Sequence, residues 1–400
     1  MSSLHAALEV GTTRTVLAIG EVESDGRLKV VCHAEIPSTG VRKSQILDID
    51  QATSSIRTVL REIEKKQAEA GISVEIGNAF LVISGQHIKA DPFQGMVPIE
   101  GAKVGQDAID EVMRSSRTMQ LPNEREFLDI VDRDYEVDTL GGISAPRGMS
   151  GRILKLNTLQ IHADRNRVND ARTAADAAKL EIRDPLFAAT CAAEAVLADY
   201  ERKNGVLVLD VGGGSTGYAA YSDGHLAATG VIGVGGDHVT NDIAHAFQTT
   251  NAQAEQIKRA EASALIGGES GSPRVKIPGS SPLIESRTIS RHALDTVVNA
   301  RLGELFAIIR ETLEEQDLFN RFHAGVVLTG GGAEMRNLDK LAARELGMAA
   351  RIGSPANVDG LEGERFPAAY AAISGALLYA SRNYEDKSVL GSLFKRFFSK

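Results

Sequence analysis

The chain has 400 residues, 43% of them hydrophobic and 24% charged, with a formal net charge of −9 at pH 7. That length predicts two or more domains with real cores, and an acidic balance with no basic run outside the C-terminus argues against a generic nucleic-acid binder. Cys32 and Cys191, the only cysteines, lack metal-ligand spacing and imply neither a disulfide framework nor a zinc site, and the opening MSSLHAALEV lacks the features of a secretory signal, so a cytoplasmic protein is expected.

The first apolar run, Ala6 to Val10, is followed by the turn Gly11-Thr12-Thr13 and a second run, Val16 to Ile19, which together predict a hairpin. A helix is predicted from Asp50 to Ala70. The next stretch, Asn78 to Asn157, has a different texture. It holds short strands at Ala79 to Ser84 and Met96 to Ile99, a helix at Asp107 to Met119, and turn-rich connections at Gly141-Gly142 and Pro146-Arg147-Gly148, and it reads as an inserted subdomain. After a helix at Arg165 to Lys179 the opening pattern returns as Val206 to Val211, the turn Gly212-Gly213-Gly214-Ser215-Thr216, and Gly217 to Tyr221, the mark of an internally duplicated fold. Helices at Asp237 to Phe247 and Ser290 to Glu315 flank a stretch rich in Gly, Ser and Pro, Gly267 to Pro282, expected to be an exposed loop. The strand Gly325 to Thr329 then enters Gly330-Gly331-Gly332 and a helix, Leu338 to Leu346, an arrangement suited to hold an anion. Strands and helices interleaved in this way imply an α/β architecture with mixed sheets.

The chain closes on SVLGSLFKRFFSK. At 100° per residue Val389, Leu390, Leu393, Phe394, Phe397 and Phe398 share one half of a helical wheel, with Lys395 and Arg396 on the other. The segment is too short to span a bilayer, which needs about 20 apolar residues, but it can lie in the headgroup layer, and its positive charge suits anionic lipid on the cytoplasmic side. The competing expectation is a helix docked on its own domain or in a partner's groove.

A single glycine turn says little, since glycine serves any turn that needs positive φ. Three in this order say more. Two strand-turn-strand loops facing each other across a cleft would offer backbone N–H groups to a polyphosphate from both sides, and the third turn would flank the nucleoside. Glu9 and Asp210 stand two residues before Gly11 and Gly212, where they would position a hydrated Mg²⁺, an ion that keeps several waters and needs only one or two carboxylates.

LEVGTTRTVLAIGEV, VLVLDVGGGSTGYAAY and GVVLTGGGAEM resemble the two phosphate motifs and the adenosine motif of the actin/Hsp70/sugar-kinase superfamily. Within it, the chain is similar over almost its whole length to the FtsA family of bacterial cell-division proteins, through IPSTGVRKSQILDI, FLVISGQHIKADPFQGMVPI, YEVDTLGGISAPRGMSG, GVGGDHVTNDIAHAF, AEQIKR, SRHALDTVVNARLGELF and the terminal amphipathic segment. The resemblance implies an actin-like duplicated α/β fold with an inserted α+β subdomain and a C-terminal amphipathic helix. Residues 1–77, 157–190 and 357–381 would form the first large subdomain and 78–156 the insert. Residues 191–223 and 302–356 would form the second large subdomain, 224–301 its smaller companion, 382–387 a short linker and 388–400 the membrane-targeting helix.

The resemblance further implies a protein that binds ATP with Mg²⁺, polymerises on the cytoplasmic face of the cell membrane at the division site, and tethers filaments of the tubulin-like protein FtsZ. Gly11, Thr12 and Thr13 would cradle phosphate from one side and Gly213, Gly214, Ser215 and Thr216 from the other. Gly235, Gly236, Glu255, Lys258, Gly331, Gly332 and Met335 would line the ribose and adenine. The 224–301 subdomain would take the acidic C-terminal peptide of FtsZ, with Arg291 and Arg301 as contacts, and the insert would receive other division proteins.

One departure bears on chemistry. The second phosphate motif usually continues with an Asp after its Thr, in a GGGT-x-D pattern, and here that position is Gly217. The stretch Ala188 to Glu194, AATCAAE, also offers few polar groups where the superfamily places a water-orienting Gln or Glu; Glu194 is the nearest candidate and is expected to face the helix exterior. Nucleotide binding with slow or negligible hydrolysis is therefore expected. Two alternatives share the superfamily. A sugar or acetate kinase would need a catalytic carboxylate facing a polar substrate pocket, and an actin-like scaffold of a type IV pilus inner-membrane complex would not end in an amphipathic membrane helix.

Overall fold

In the computed structural model, which describes residues 4–71, 74, 76–267, 272–277 and 286–383, the chain begins with an antiparallel meander, β1 (His5–Val10), β2 (Arg14–Val22) and β3 (Leu28–Pro37). A two-by-two-residue hairpin, β4 (Val41–Arg42) and β5 (Gln45–Ile46), leads to α1 (Ile49–Ala70). This helix starts where the Asp48 carboxylate accepts the Gln51 N–H at 3.0 Å and stops at Gly71, whose φ of 67° only glycine adopts without strain. Then come β6 (Asn78–Ile83), β7 (Lys89–Pro98), α2 (Gln106–Ser115), β8 (Arg125–Val137), β9 (Leu140–Ile143), β10 (Ile153–Asp164), α3 (Arg165–Ala177), β11 (Glu181–Phe187), α4 (Ala188–Val196) and α5 (Asp199–Asn204). A second meander, β12 (Val206–Val211), β13 (Thr216–Ser222) and β14 (His225–Ile232), precedes α6 (Gly236–Ala246), α7 (Asn251–Glu261), the hairpin β15 (Arg274–Ile277) and β16 (Arg287–Ser290), and α8 (Arg291–Glu314). The described part ends with β17 (Val326–Thr329), α9 (Leu338–Leu346), β18 (Ala350–Ile352), β19 (Val358–Asp359) and a helix over 371–383.

Two sheets share one plan, which makes the duplication concrete. In the first, of order β11-β6-β1-β2-β3-β19, the meander's leading strand pairs parallel with β6 and β6 with β11. In the second, of order β14-β13-β12-β17-β18, β12 pairs parallel with β17 and β17 with β18. The leading strands are buried on both faces, so they read as continuous apolar runs rather than alternating ones. Along β12, Val206 and Val208 enter the core shared by the two sheets, while Leu207, Leu209 and Val211 enter the core covered by α6, α8 and α9. The shared core is filled by α4 and the 371–383 helix, both built from small residues. A Cβ placed on Gly375 would lie 1.7 Å from the Cys191 carbonyl oxygen, so these two helices cross at the closest approach a backbone allows.

The insert is a four-stranded antiparallel sheet, β7-β10-β8-β9, with α2 packed on it through Val97, Val104, Val112, Leu154 and Leu156. Its expected limits differ from the observed ones at both ends. The 79–84 strand, read as the first of the insert, is β6 and lies inside the six-stranded sheet, because Ala79 to Val82 is apolar on both faces and only a doubly covered sheet buries both. At the other end β10 runs on to Asp164 without a break, pairing with β7 and β8 beyond the expected junction at 157. The second small region, 224–301, shares one continuous core with the five-stranded sheet, since β14 belongs to that sheet and α8 spans the expected boundary at 301–302. Cys32 and Cys191 are both buried as free thiols.

Candidate nucleotide site

The two meanders bring their first turns to the same cleft, where they bound a cavity of about 500 Å³, within the usual range for a small-molecule site. The turns are built alike. Each spans four residues closed by one backbone bond, Gly11 N–H to the Arg14 carbonyl at 3.0 Å and Gly212 N–H to the Ser215 carbonyl at 2.9 Å. Glycine is needed for proximity as well as for the turn, since a Cβ on Gly213 would sit 2.6 Å from Thr13 Cγ2 in the opposite turn. The third turn enters at Gly330, with φ 80°, and a Cβ there would lie 2.3 Å from Asp210 Oδ1. Between Gly330 and α9 the chain makes a short 3-10 turn, Gly331–Glu334, so the helix start itself stands one turn away from the glycines.

Glu9 and Asp210 both line the cavity. Burial raises both carboxyls above the usual carboxylate range. Asp210 is pushed up to about 7, by burial first and by the neighbouring Glu9 second, with Arg14 opposing. Glu9 rises for the same first reason, and its Oε2 is buried with no hydrogen-bond partner. Arg14 is the local cation. It bonds Glu35 at 2.6 Å and the Ala369 carbonyl, and its guanidinium lies 4.9 Å over the Tyr370 ring. Among the described residues no group of three or more His, Cys, Asp or Glu forms a metal cage.

Toward α7 the wall is ionic. Lys258 donates to the Gly236 carbonyl at 3.1 Å and Thr240 Oγ1 at 2.8 Å and pairs with Glu255 at 2.6 Å. Burial works to raise Glu255, but Lys258, Thr240 and Arg259 together hold it down to about 2, so it is a fixed anion. The N-terminus of α6 is docked on the second glycine turn, Gly236 N–H to the Gly212 carbonyl at 2.9 Å and Asp237 N–H to the Gly213 carbonyl at 2.8 Å.

Of the residues expected here, Glu9, Gly11, Thr12, Thr13, Asp210, Gly213, Ser215, Gly236, Glu255, Lys258, Gly331, Gly332 and Met335 all line the cavity. Three stand behind its wall. Thr216 is fully buried and donates to the Val234 carbonyl at 2.8 Å, Gly235 is a spacer where a Cβ would meet the Gly212 and Gly213 carbonyls and the Ser215 N–H, and Gly214 lies under the tip of the β4–β5 hairpin. Arg291 and Arg301 stand apart from the cavity on α8, each neutralised within the chain, Arg291 by Glu261 and Arg301 by Asp242 and Glu304. Val389 to Phe398 fall outside the described residues, and among the described residues no helix is long and apolar enough to cross a membrane.

Several lining residues carry no sequence signal of their own: Ser44, Ser84, Asp237, Arg259, Arg365 and Phe366 reach the cavity only through folding. Gly217 sits directly opposite Asp210 in the β12–β13 register, and a Cβ there would lie 2.8 Å from the Ala189 Cβ. The place of the missing carboxylate is thus closed by α4. Glu194 is turned away, paired with Arg202 at 2.9 Å and with Arg382.

The family described as "Cell division protein FtsA" matches over residues 207–375, and the "SHS2 domain inserted in FTSA" over 85–162, in agreement with an insert that begins after β6. Curated relatives include the cell division protein FtsA of Pseudomonas aeruginosa, 32% identical with 97% of this chain and 92% of that protein covered, and that of Escherichia coli K12, 31% identical with 95% and 91% covered. Among solved structures, a chain of a PilM–PilN type IV pilus biogenesis complex matches with a TM-score of 0.65 at 18% identity, covering 94% of this chain and 98% of that one. MreB5 of Spiroplasma citri bound to ADP matches with a TM-score of 0.57 at 14% identity, covering 96% and 98%. The structural matches establish an actin-like fold, and with near-complete coverage at 32% identity the chain belongs to the FtsA family of cell division proteins.

Proposed function

We propose that this actin-like cell-division protein binds ATP with Mg²⁺ in the cavity, self-associates, and holds FtsZ filaments to the cytoplasmic face of the membrane at the division site. The observation that carries the reading is the convergence of two like-built glycine turns on a cavity lined by the half-buried Glu9 and Asp210, with Glu9 Oε2 left without a hydrogen-bond partner. The residues fit the ligand. The turns leave room for phosphates where any side chain on Gly213 would intrude, and Glu9 and Asp210 are the oxygen donors that a water-coated Mg²⁺ uses. Magnesium, when bound, would neutralise phosphate charge, and ionised Glu9 and Asp210 would orient its waters. Lys258 and Glu255 would hold the sugar side, and Gly331, Gly332 and Met335 would flank the base. MreB5, of like fold, carries ADP in its solved structure, which supports the same use here.

Hydrolysis is slow or negligible on this reading, because α4 fills the position beside Asp210 with Ala188 and Ala189 and no carboxylate stands there to orient water. ATP then acts as an assembly ligand. The FtsZ peptide would dock on the 224–301 region, where Arg291 and Arg301 would each exchange an internal carboxylate for one from the peptide.

Calorimetric titration of the full chain with ATP tests the assignment. Binding that requires Mg²⁺ and falls at least about tenfold in Asp210→Asn is expected, which is the scale of removing one charged hydrogen-bonding group from a buried site. Absence of binding in the unsubstituted chain, or turnover at tens per second, an ordinary enzyme rate, overturns the reading of ATP as a structural ligand.

A further inference from the structure

We propose that Ser44, at the tip of the β4–β5 hairpin, senses the terminal phosphate and lets the cavity distinguish a nucleoside triphosphate from a diphosphate; this rests on the cavity being a nucleotide site. Four hydroxyls from four separate elements meet at one wall: Thr12 from the β1–β2 turn, Ser44 from the hairpin, Ser84 from the end of β6, and Ser215 from the β12–β13 turn. The Ser44 N–H donates to Thr12 Oγ1 at 2.8 Å, and its hydroxyl lies 3.1 Å from Ser215 Oγ and 3.5 Å from Thr12 Oγ1. Ser84 Oγ stands 3.5 Å from the same Ser215 oxygen. Ser44 therefore joins the first phosphate turn to the second.

The hairpin is held in this position against its own preference. Lys43 and Ser44 are consecutive non-glycine residues with φ of 50° and 58°, in the left-handed region that a two-residue hairpin turn requires and that Asn or Gly fill more easily. Gly214 makes the approach feasible, since a Cβ there would lie 2.5 Å from Thr12 Oγ1 and 2.7 Å from Lys43 Cα. Backbone of this kind persists where its surroundings over-determine it, and it gathers at ligand clamps and switches.

A hydroxyl both donates and accepts, so these four satisfy one another. A phosphate oxygen only accepts, so a phosphate arriving at the cluster turns the hydroxyl protons toward itself and gains charge-assisted bonds. The cluster lies where the first and second turns meet, at Thr12 and Ser215, whereas Lys258 and Met335 line the cavity from α7 and the third turn. A nucleotide seated against Lys258 and Met335 meets the cluster with its last phosphate, and one phosphate fewer leaves Ser44 bonded to the two turns. The terminal phosphate thus decides whether the halves are joined through Ser44 or through the ligand.

The test measures Kd for ADP and for a non-hydrolysable ATP analogue by isothermal titration calorimetry, on the full chain with Mg²⁺. Ser44→Gly removes the hydroxyl and eases the left-handed backbone, while Ser44→Ala removes it without that relief, so agreement between the two separates the hydroxyl from folding. Both variants are expected to bind the triphosphate analogue about tenfold more weakly, the scale of a hydrogen bond to a charged group, with ADP unchanged within about twofold. Equal weakening of both ligands, or no change in either, overturns the proposal. Failure of the unsubstituted chain to bind either ligand is a different result, which refutes the nucleotide site itself.

Discussion

Asp210 and Glu9 show how a residue's chemistry is set by what surrounds it. An Asp titrates near 3.8 in an unfolded chain, and burial beside Glu9 moves Asp210 to about 7 in the folded one. Between those values the folded state holds the extra proton, so stability falls as pH rises from about 4 to about 7. The full effect is on the order of 4 kcal/mol at about 1.4 kcal/mol per pH unit. Asp210→Asn removes it, so in metal-free protein the denaturant midpoint of the variant should gain on the wild type as pH rises from 5 to 8. Parallel profiles would mean that Asp210 ionises normally in the fold. Glycines divide at the same scale into those that admit a neighbour and those that only turn the chain. Gly217 is of the first kind, its side-chain space taken by Ala189, which is why restoring the family carboxylate at that position alone would strain the α4 packing.

At the scale of elements, the crossing of α4 and the 371–383 helix holds the two sheets together. Gly375→Ala would place a methyl carbon against the Cys191 carbonyl and should destabilise by about 3 kcal/mol or more, the upper range of overpacking. Gly303→Ala, in the middle of α8 with open space at its Cβ, should instead be neutral or stabilising by up to about 1 kcal/mol through helix propensity. Urea unfolding of the pair checks both, and equal shifts would contradict the close crossing. The C-terminal segment is the other element with a definite forecast. Phe394→Glu or Phe397→Glu breaks the apolar face of Val389, Leu390, Leu393, Phe394, Phe397 and Phe398, so it should abolish co-sedimentation with anionic liposomes and leave nucleotide binding intact. A variant that still pellets would assign the segment to a protein groove.

For the whole molecule, the proposed function implies that one short amphipathic segment would give only marginal, reversible membrane attachment, whereas subunits joined in a filament would present neighbouring segments at high effective concentration. Assembly and attachment should therefore reinforce each other, because a coupling free energy acts in both directions. Liposome pelleting of the full chain should rise with Mg-ATP, and a chain ending at Lys387 should stay in solution under every condition; pelleting of the truncated chain would place the anchor elsewhere. Features written in local pattern were legible in the chain before any fold was known. The paired glycine turns, the acids two residues before them, the duplicated strand-turn-strand units and the long helices all follow from spacing within a dozen residues or so, where backbone geometry and side-chain periodicity act directly. What depends on distant pairing came with the assembled fold. It placed β6 in the first sheet rather than the insert, because an apolar strand does not state which sheet will cover it. It set Gly214, Thr216 and Gly235 behind the cavity wall, and it brought Ser44 against Ser215 across 171 positions. It also raised the Asp210 carboxyl above its ordinary range, since burial and the nearness of Glu9 belong to the assembled fold and to no stretch of the chain alone.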